Sequence, residues 1–413
     1  MHRSCSRRRE LAGTTQRDGC PSDAGHKGGA RTGFRILQSV STDVHENLAL
    51  EDWLYEKDDD VQRRRRTLLL WRNGPCVVIG RHQNPWAECD VRLVRSGHAT
   101  LARRRSGGGT VYHDLGNVNL TFFSSRTGYD RASNLRSVVS ALGDAFPRLA
   151  LTVSPRHDLL LDGRYKVSGT AAKVGGKVAY HHLTLLGSAD TIAMSRLLKS
   201  SHTNGLRSRA TASVPAQVRN LCDADNSVSC EALSFAIARY YATQHGGAQH
   251  IIEMVDPSDE TTFPGIAKLH DELSGWEWIY GRTPEFTIEQ EWNVPDDGDE
   301  KRITFCLHVK RGQIQDCKLH VPNEWLPTSL LDALIHSLIG VPFWPDNVFL
   351  ALVNLKDTCK RTEEVKHNWE IDLAIKGIFV LLIQLIIHFL INYIILKKFV
   401  RCNGGGFGML LAN

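Results

Sequence analysis

Arg103-Arg104-Arg105-Ser106-Gly107-Gly108-Gly109-Thr110-Val111-Tyr112-His113-Asp114-Leu115-Gly116-Asn117-Val118-Asn119 is the stretch on which the reading of this chain turns. Three consecutive glycines are poor material for a helix or strand interior, because glycine loses the most backbone freedom on ordering. Gly107, Gly108 and Gly109 suit a place where a ligand approaches the main chain and bare N–H groups point at it. With Arg104 and its two neighbours just before them, they suit an anion, most simply a phosphate. No Gly-Lys-Ser/Thr follows, so this is not a Walker loop. Beyond the glycines the chain alternates, with Thr110, Tyr112 and Asp114 on one side and Val111, His113 and Leu115 on the other. That pattern predicts a half-buried strand whose polar face turns to a site.

The chain has 413 residues, enough for two domains. Its 42% hydrophobic and 23% charged content is that of an ordinary globular protein; a formal net charge of +5 is modest and says little by itself, and no nucleic-acid partner is expected. The ten cysteines are scattered and none forms Cys-x-x-Cys, so neither a zinc site nor a disulfide framework is expected, and no metal ligands are assigned. Residues 1–33 carry seven Lys/Arg against Glu10, Asp18 and Asp23. They lack the apolar run of a secretory signal; an Arg-rich mitochondrial presequence and a disordered extension both fit.

Folded sequence begins near Phe34. Asp43 or Thr42 caps a helix carrying Leu50, Trp53 and Leu54. Leu68–Trp71 and Cys76–Ile79 flank Asn73-Gly74, which predicts a hairpin. Val77 to Gly80 suits the wall of a hydrocarbon pocket, and the turn-rich Gly80 to Trp86 follows. Leu135, Val138, Val139 and Leu142 mark a helix closed by Gly143. Asp162-Gly163 and Gly175-Gly176 predict two further hairpins, the second leading into a strand through Leu186. In these strands Lys166 and Ser168 share one face, and so do His182 and Thr184. A helix near Val228–Tyr241 closes a first domain, 34–250.

The alternation of Trp276, Trp278 and Tyr280 predicts a strand. So does that of Ile303, Phe305, Leu307 and Val309, which turns at Arg311-Gly312 into Gln313–Val321. Leu331, Leu334, Ile335 and Leu338 mark a helix ending at Gly340. These elements define a small α+β second domain, 255–372. In the tail, 373–413, the uncharged run 378–396 is long enough to cross a bilayer. A membrane anchor and a non-native end are the two readings of it, and a membrane partner follows only from the first.

Gly107–Gly109, a lysine on a site-facing strand (Lys166) and a second polar strand (His182, Thr184) make a candidate site. No Gly-x-Ser-x-Gly elbow and no Ser/His/Asp arrangement is visible, and no cysteine is placed as a nucleophile.

Three blocks in order carry a resemblance: Arg103 to Asn117; Asp158 with Asp162-Gly163-Arg164-Tyr165-Lys166-Val167-Ser168-Gly169-Thr170-Ala171; and His181-His182-Leu183-Thr184-Leu185-Leu186. The chain resembles the lipoate–protein ligase A and lipoyltransferase family from about Leu37 to Gly377, and is most similar to its mitochondrial animal members. The resemblance implies an α/β (α+β) catalytic domain of the biotin/lipoate ligase type, with mixed sheets and flanking helices, plus a small C-terminal domain. It implies lipoyl-adenylate (lipoyl-AMP) as substrate, with no tightly bound cofactor, contacted by Arg104, Gly107, Gly108, Gly109, Tyr112, Arg156, Lys166, Thr184, Thr211 and Ala212, with Lys166 catalytic. It implies acyl transfer in the mitochondrial matrix. The donor is the adenylate or the glycine-cleavage H protein, and the acceptors are the lipoyl domains of 2-oxo acid dehydrogenase acyltransferase subunits. A complete ATP- and Mg²⁺-dependent ligase, or a non-catalytic adenylate- or lipoyl-domain-binding protein, are the alternatives.

Overall fold

A computed structural model describes residues 33–355, except 201–204, 248–250, 297–298, 323–327, 349 and 352. The N-terminal basic segment and the apolar run 378–396 lie outside the described residues. Among the described residues no helix is long and apolar enough to cross a membrane.

In chain order the elements are β1 (Phe34–Ser39), α1 (Val44–Glu56), α2 (Asp59–Gln62), β2 (Arg66–Trp71), β3 (Cys76–Ile79), α3 (Pro85–Glu88), α4 (Val91–Arg95), β4 (Thr100–Arg103), β5 (Val111–His113), β6 (Asn117–Ser125), α5 (Arg131–Ala145), β7 (Leu151–Val153), β8 (Leu159–Leu161), β9 (Tyr165–Lys166), β10 (Thr170–Val174), β11 (Val178–Leu186), α6 (Thr191–Leu197), β12 (Leu206–Ser208), α7 (Cys230–Gln244), β13 (Ile252–Val255), α8 (Ile266–Ser274), α9 (Trp276–Ile279), β14 (Phe286–Asp296), β15 (Asp299–Lys310), β16 (Gln313–His320) and α10 (Thr328–Leu338).

Six strands form the main sheet in the order β10-β11-β6-β2-β1-β13. It is antiparallel from β10 to β2 and parallel from β2 through β1 to β13. Helices cover both faces. Leu135, Val138 and Leu142 of α5 and Leu233 and Ile237 of α7 join one core, while Leu50 and Leu54 of α1 and Leu269 and Leu273 of α8 join another. Hence β2, β6 and β11 are buried along nearly their whole length: β2 reads as the apolar run Leu68–Trp71, whereas β6 alternates Val118, Leu120 and Phe122 with the buried polar Asn119 and Thr121, and β11 alternates Leu183 and Leu185 with His182 and Thr184. A second, small sheet, β4-β3-β5, faces the first, and a third, β7-β8-β9, carries Lys166.

The four-stranded sheet β12-β14-β15-β16 packs its inner face (Ile303, Phe305, Leu307, Val309) under α10. Two strands cross the expected partition near residue 250. Ile252–Val255 edges the main sheet, and Leu206–Ser208 pairs with β14.

Most local expectations match. Asp43 caps α1 by accepting from the N–H groups of His45 and Glu46. Asp162 and Gly163 have φ of 54° and 64°, and Arg311 and Gly312 have 53° and 70°, the left-handed pair that a tight hairpin turn needs.

Three expectations fail for identifiable reasons. Asn73-Gly74 is not a hairpin: β2 and β3 lie in different sheets, and neither residue has positive φ. Asn73 is fully buried instead, bonded to Asn47 and His113, and the Gly74 N–H donates to the Thr42 carbonyl. Gly143 does not close α5, which runs to Ala145 because Leu142 and Phe146 both dock in the core. Trp276–Ile279 is helical, not extended. The i, i+2, i+4 aromatics also satisfy a helical i, i+4 pair, and Trp276 stacks on Tyr280 with centroids 4.3 Å apart.

Candidate active site

A cavity of about 370 Å³ opens between the main sheet and the β4-β3-β5 sheet. Leu48, Trp71, Val78, His113 and Asn119 wall its interior. Gly108, Gly109 and Thr110 of the glycine loop form one side. His182, Leu183 and Thr184 of β11 form another, and Arg131, Arg156, Asp158 and Lys166 stand with the 211–216 segment around the rest. Of the ten residues expected at the site, Arg104, Gly108, Gly109, Arg156, Lys166, Thr184, Thr211 and Ala212 line this cavity; Gly107 and Tyr112 do not.

The glycine loop is shaped by Arg104. Its guanidinium is buried and donates to the carbonyls of Gly107 (2.7 Å), Gly109 (2.7 Å) and Val78 (3.0 Å). Turning these carbonyls inward leaves the amides of Gly107, Gly108 and Gly109 without an acceptor among the described residues. That is the arrangement an anion needs. Gly108 has φ of 89°, and a Cβ there would stand 2.9 Å from Arg104 Nη2. Gly80 is equally constrained, since a Cβ would fall 2.2 Å from the Gly108 carbonyl oxygen.

The three arginines do not act together on a ligand, contrary to the reading from sequence. Arg103 is fully buried and donates to the carbonyls of Ile279, Arg81 and Gln83 and to Thr283. Arg105 pairs with Asp52 at 2.6 Å and lies over the Trp278 ring. Burial pushes the Arg103 and Arg104 guanidiniums down to about 10, so both stay charged at neutral pH.

Tyr112 also corrects the sequence reading. It pairs with Val77 across β5 and β3 and joins the core with Ile79, Leu101 and Leu186. The side of β5 that faces the cavity is therefore Val111 and His113. The alternation is real, but the polar-looking face is the packed one. Val78 alone of the Val77–Gly80 segment reaches the cavity.

Lys166 sits in β9, where its backbone N–H donates to Gln217 (2.8 Å), tying β9 to the segment after Ala216. Its Nζ lies 2.8 Å from Asp158 Oδ1, and both side chains are part-exposed. Arg131, Arg156 and Lys166 against Asp158 leave the rim cationic. Thr184 Oγ1 accepts from the Gly169 N–H at 2.9 Å. Thr211–Ala216 is anchored by side chains that nothing in the sequence singles out. Gln83 Nε2 donates to Ser213 Oγ (3.0 Å) and to the Thr211 carbonyl (3.3 Å), and Ser213 Oγ donates to Glu88. The Thr110 N–H donates to the same Ser213 Oγ, which joins the glycine loop and the 211–216 segment into one wall.

A Ser-His-Glu relay is present after all. Arg104 Nε donates to Ser106 Oγ (3.0 Å), Ser106 Oγ lies 2.8 Å from His182 Nε2, and His182 Nδ1 lies 2.8 Å from Glu51 Oε1. Thr121 also donates to Glu51 at 2.7 Å, and Trp71 Nε1 donates to Thr121. Burial pushes the Glu51 carboxyl up, but His182, Thr121 and Tyr180 outweigh it and hold the carboxyl below its ordinary value. The carboxylate therefore fixes the His182 ring, whose Nδ1 donates. Ser106 is itself buried and off the cavity wall, so it orients His182 rather than serving as a nucleophile. Among the described residues no cluster of His, Cys, Asp and Glu could hold a metal ion, and Cys76, Cys89, Cys222, Cys230, Cys306 and Cys317 are free thiols.

A mixed sheet facing a small sheet across a glycine-lined cavity with a cationic rim is an α/β fold whose site suits an anionic ligand. The lipoyl protein ligase A/B catalytic domain model matches residues 43–242. The mitochondrial lipoyl amidotransferase LIPT1 of Homo sapiens is 46% identical over 84% of this chain and 92% of its own length. Lipoate-protein ligase A of Psychrobacter cryohalolentis is 35% identical over 75% of the chain and 89% of its own. The crystal structure of P. falciparum LipL1 in complex with lipoate shares the fold at a TM-score of 0.53 and 23% identity, covering 85% of this chain and 99% of that one. The chain belongs to the lipoate–protein ligase and lipoyl amidotransferase family.

Proposed function

We propose that the protein is a mitochondrial lipoyl amidotransferase that moves a lipoyl group from lipoyl-adenylate, or from a lipoyl-carrying H protein, onto a lysine of the lipoyl domains of 2-oxo acid dehydrogenase complexes. The observation that carries this reading is the cavity wall. Free loop amides at Gly108 and Gly109 and a cationic rim at Lys166, Arg156 and Arg131 adjoin an interior walled by Leu48, Trp71 and Val78. The first two suit a nucleotide phosphate, and the interior suits an acyl chain buried at about 0.8 kcal/mol per CH₂.

In this reading the acceptor's neutral ε-amine attacks the acyl carbonyl carbon. The new C–N bond forms as the bond from carbonyl carbon to phosphate oxygen breaks, and AMP leaves carrying the electron pair. The amine proton is released to the leaving phosphate or to solvent. Lys166 neutralises the phosphate and polarises the carbonyl, and Thr184 and Arg156 hold the ligand in register. His182, held by Glu51 at Nδ1 and by Ser106 at Nε2, keeps its ring in one orientation in the cavity wall. The reaction needs no resident cofactor.

The test is incubation with an unlipoylated lipoyl domain, first with lipoyl-adenylate and separately with lipoate, ATP and Mg²⁺. Product from the adenylate alone supports transfer. Product from both makes the protein a complete ligase. Product from neither leaves a binding protein and sinks the proposal.

A further inference from the structure

The cavity's interior carries two polar side chains that the transfer chemistry does not use. Asn119 is 1% exposed, and neither its Oδ1 nor its Nδ2 has a partner among the described residues. It lies in β6 opposite Trp71 of β2 and Thr184 of β11, on the sheet face that floors the cavity. His113 is 3% exposed, and its buried Nε2 has no partner among the described residues. Orphaned groups of this kind are uncommon in folded proteins, and both of these belong to the cavity wall.

The His113 tautomer follows from its surroundings. Asn47 Nδ2 shares its two hydrogens among the carbonyls of Ser41 and Arg72 and Asn73 Oδ1 (2.9 Å), which fixes that amide and requires an oxygen, not an NH₂, of Asn73 to face it. Asn73 therefore turns its Nδ2 to His113 Nδ1 at 3.0 Å. Nδ1 accepts, so the proton of the neutral ring is on Nε2. Burial pushes this imidazole down to about 3, so it is neutral at the pH of any mitochondrial compartment. His113 thus offers an N–H donor, and Asn119 an amide, beside Leu48, Val78 and the Trp71 ring.

We propose that Asn119 and His113 form a subsite for the distal end of the acyl group, where N–H donors and an indole face meet the ring sulfurs and separate a lipoyl chain from a plain fatty acyl chain. The inference rests on the function proposed above and names what that site selects. A disulfide sulfur is a soft, weak acceptor that also makes favourable contacts with aromatic rings. A saturated chain of the same length would leave both N–H groups unpaired, whereas a sulfur would meet them. A strong anion is the poorer fit, because the Arg104 guanidinium is turned onto loop carbonyls.

The test measures kcat/KM for transfer to a lipoyl domain by the full chain, with lipoyl-adenylate and octanoyl-adenylate side by side. The wild-type protein is expected to favour lipoyl. Asn119→Leu removes the amide while keeping the same branching and should cut the lipoyl-to-octanoyl ratio by about tenfold, chiefly through lost lipoyl transfer. His113→Gln, which can return an N–H near the Nε2 position, should retain more of the preference than His113→Leu. A lipoyl-to-octanoyl ratio that is unchanged in Asn119→Leu and in both His113 variants, with both donors still used, overturns the subsite and leaves the transferase reading standing. If Asn119→Leu does not fold, the two His113 variants decide by the same ratio. Failure of both adenylates with the wild-type protein removes the function itself, and the subsite with it.

Discussion

Lys166 Nζ lies 2.8 Å from Asp158 Oδ1 on the rim of the cavity, with 27% and 21% of the two side chains open to solvent. A pair this exposed contributes only about 0–1 kcal/mol to stability. Its value is positional: Asp158 holds the ammonium at the rim, where an incoming phosphate would displace the carboxylate. Lys166→Ala is therefore expected to melt within a degree or two of wild type while transfer falls about 10²–10³-fold. Turnover near wild type at an unchanged melting temperature would remove Lys166 from the chemistry.

Gly108 is different, because fold and site depend on it together. Its φ of 89° is unfavourable for any L side chain, and a Cβ would press on Arg104 Nη2 at 2.9 Å. Gly108→Ala should cost about 1–2 kcal/mol. Displacement of Arg104 should also release the Gly107 and Gly109 carbonyls and spoil the row of amides. Denaturant titration and adenylate binding measured together should both weaken. Full stability and full binding would mean that the loop has another resting geometry.

How far the sequence carried this reading depends on the range of the interactions involved. Asp162-Gly163 and Arg311-Gly312 were legible because a turn with two positive φ angles is decided by its own residues. Asn73-Gly74 carried the same signal and did something else, because Asn47 and His113, 26 and 40 residues away, claimed the asparagine side chain. The relay was invisible for the same reason. Glu51 and Ser106 lie 131 and 76 residues from His182, and no local period links them. The glycine loop, Lys166 and Thr184 were recoverable from motif chemistry. The side of β5 that meets the cavity was not, since Tyr112 and His113 are both amphipathic and packing against Val77 decides between them.

Arg103 gives a stability prediction with no site in it. Its guanidinium is the common partner of the carbonyls of Ile279, Arg81 and Gln83 and of Thr283 Oγ1. It thereby pins the loop after β3 to the segment after α9. Arg103→Leu leaves those buried oxygens unpaired, each costing roughly 1–3 kcal/mol where water cannot enter. A loss on the order of 3–5 kcal/mol is expected by denaturant titration. A loss below about 1 kcal/mol would show that water or relaxation satisfies the acceptors.

The buried histidines make stability depend on pH with a definite sign. Burial pushes His113 and His181 from 6.5 down to about 3, so between these values the unfolded chain binds protons that the folded chain refuses. Their contribution is complete above pH 6.5 and is lost as pH falls toward 3. Asp52 acts oppositely. Burial, against the pull of Lys173 and Arg105, raises it from 3.8 to about 6, so over that window its folded form takes up a proton and stability falls as pH rises. Two histidines against one aspartate leave a net loss of stability on acidification between pH 6 and 4. Each refused proton is worth about 1.4 kcal/mol per pH unit. In His113→Gln the slope of unfolding free energy against pH should drop by roughly that amount across this window, measured by denaturant midpoints at several pH values. An unchanged slope would mean that His113 is protonated in the folded protein, and then Nε2 and Nδ1 would both donate and its bond to Asn73 would have to reverse.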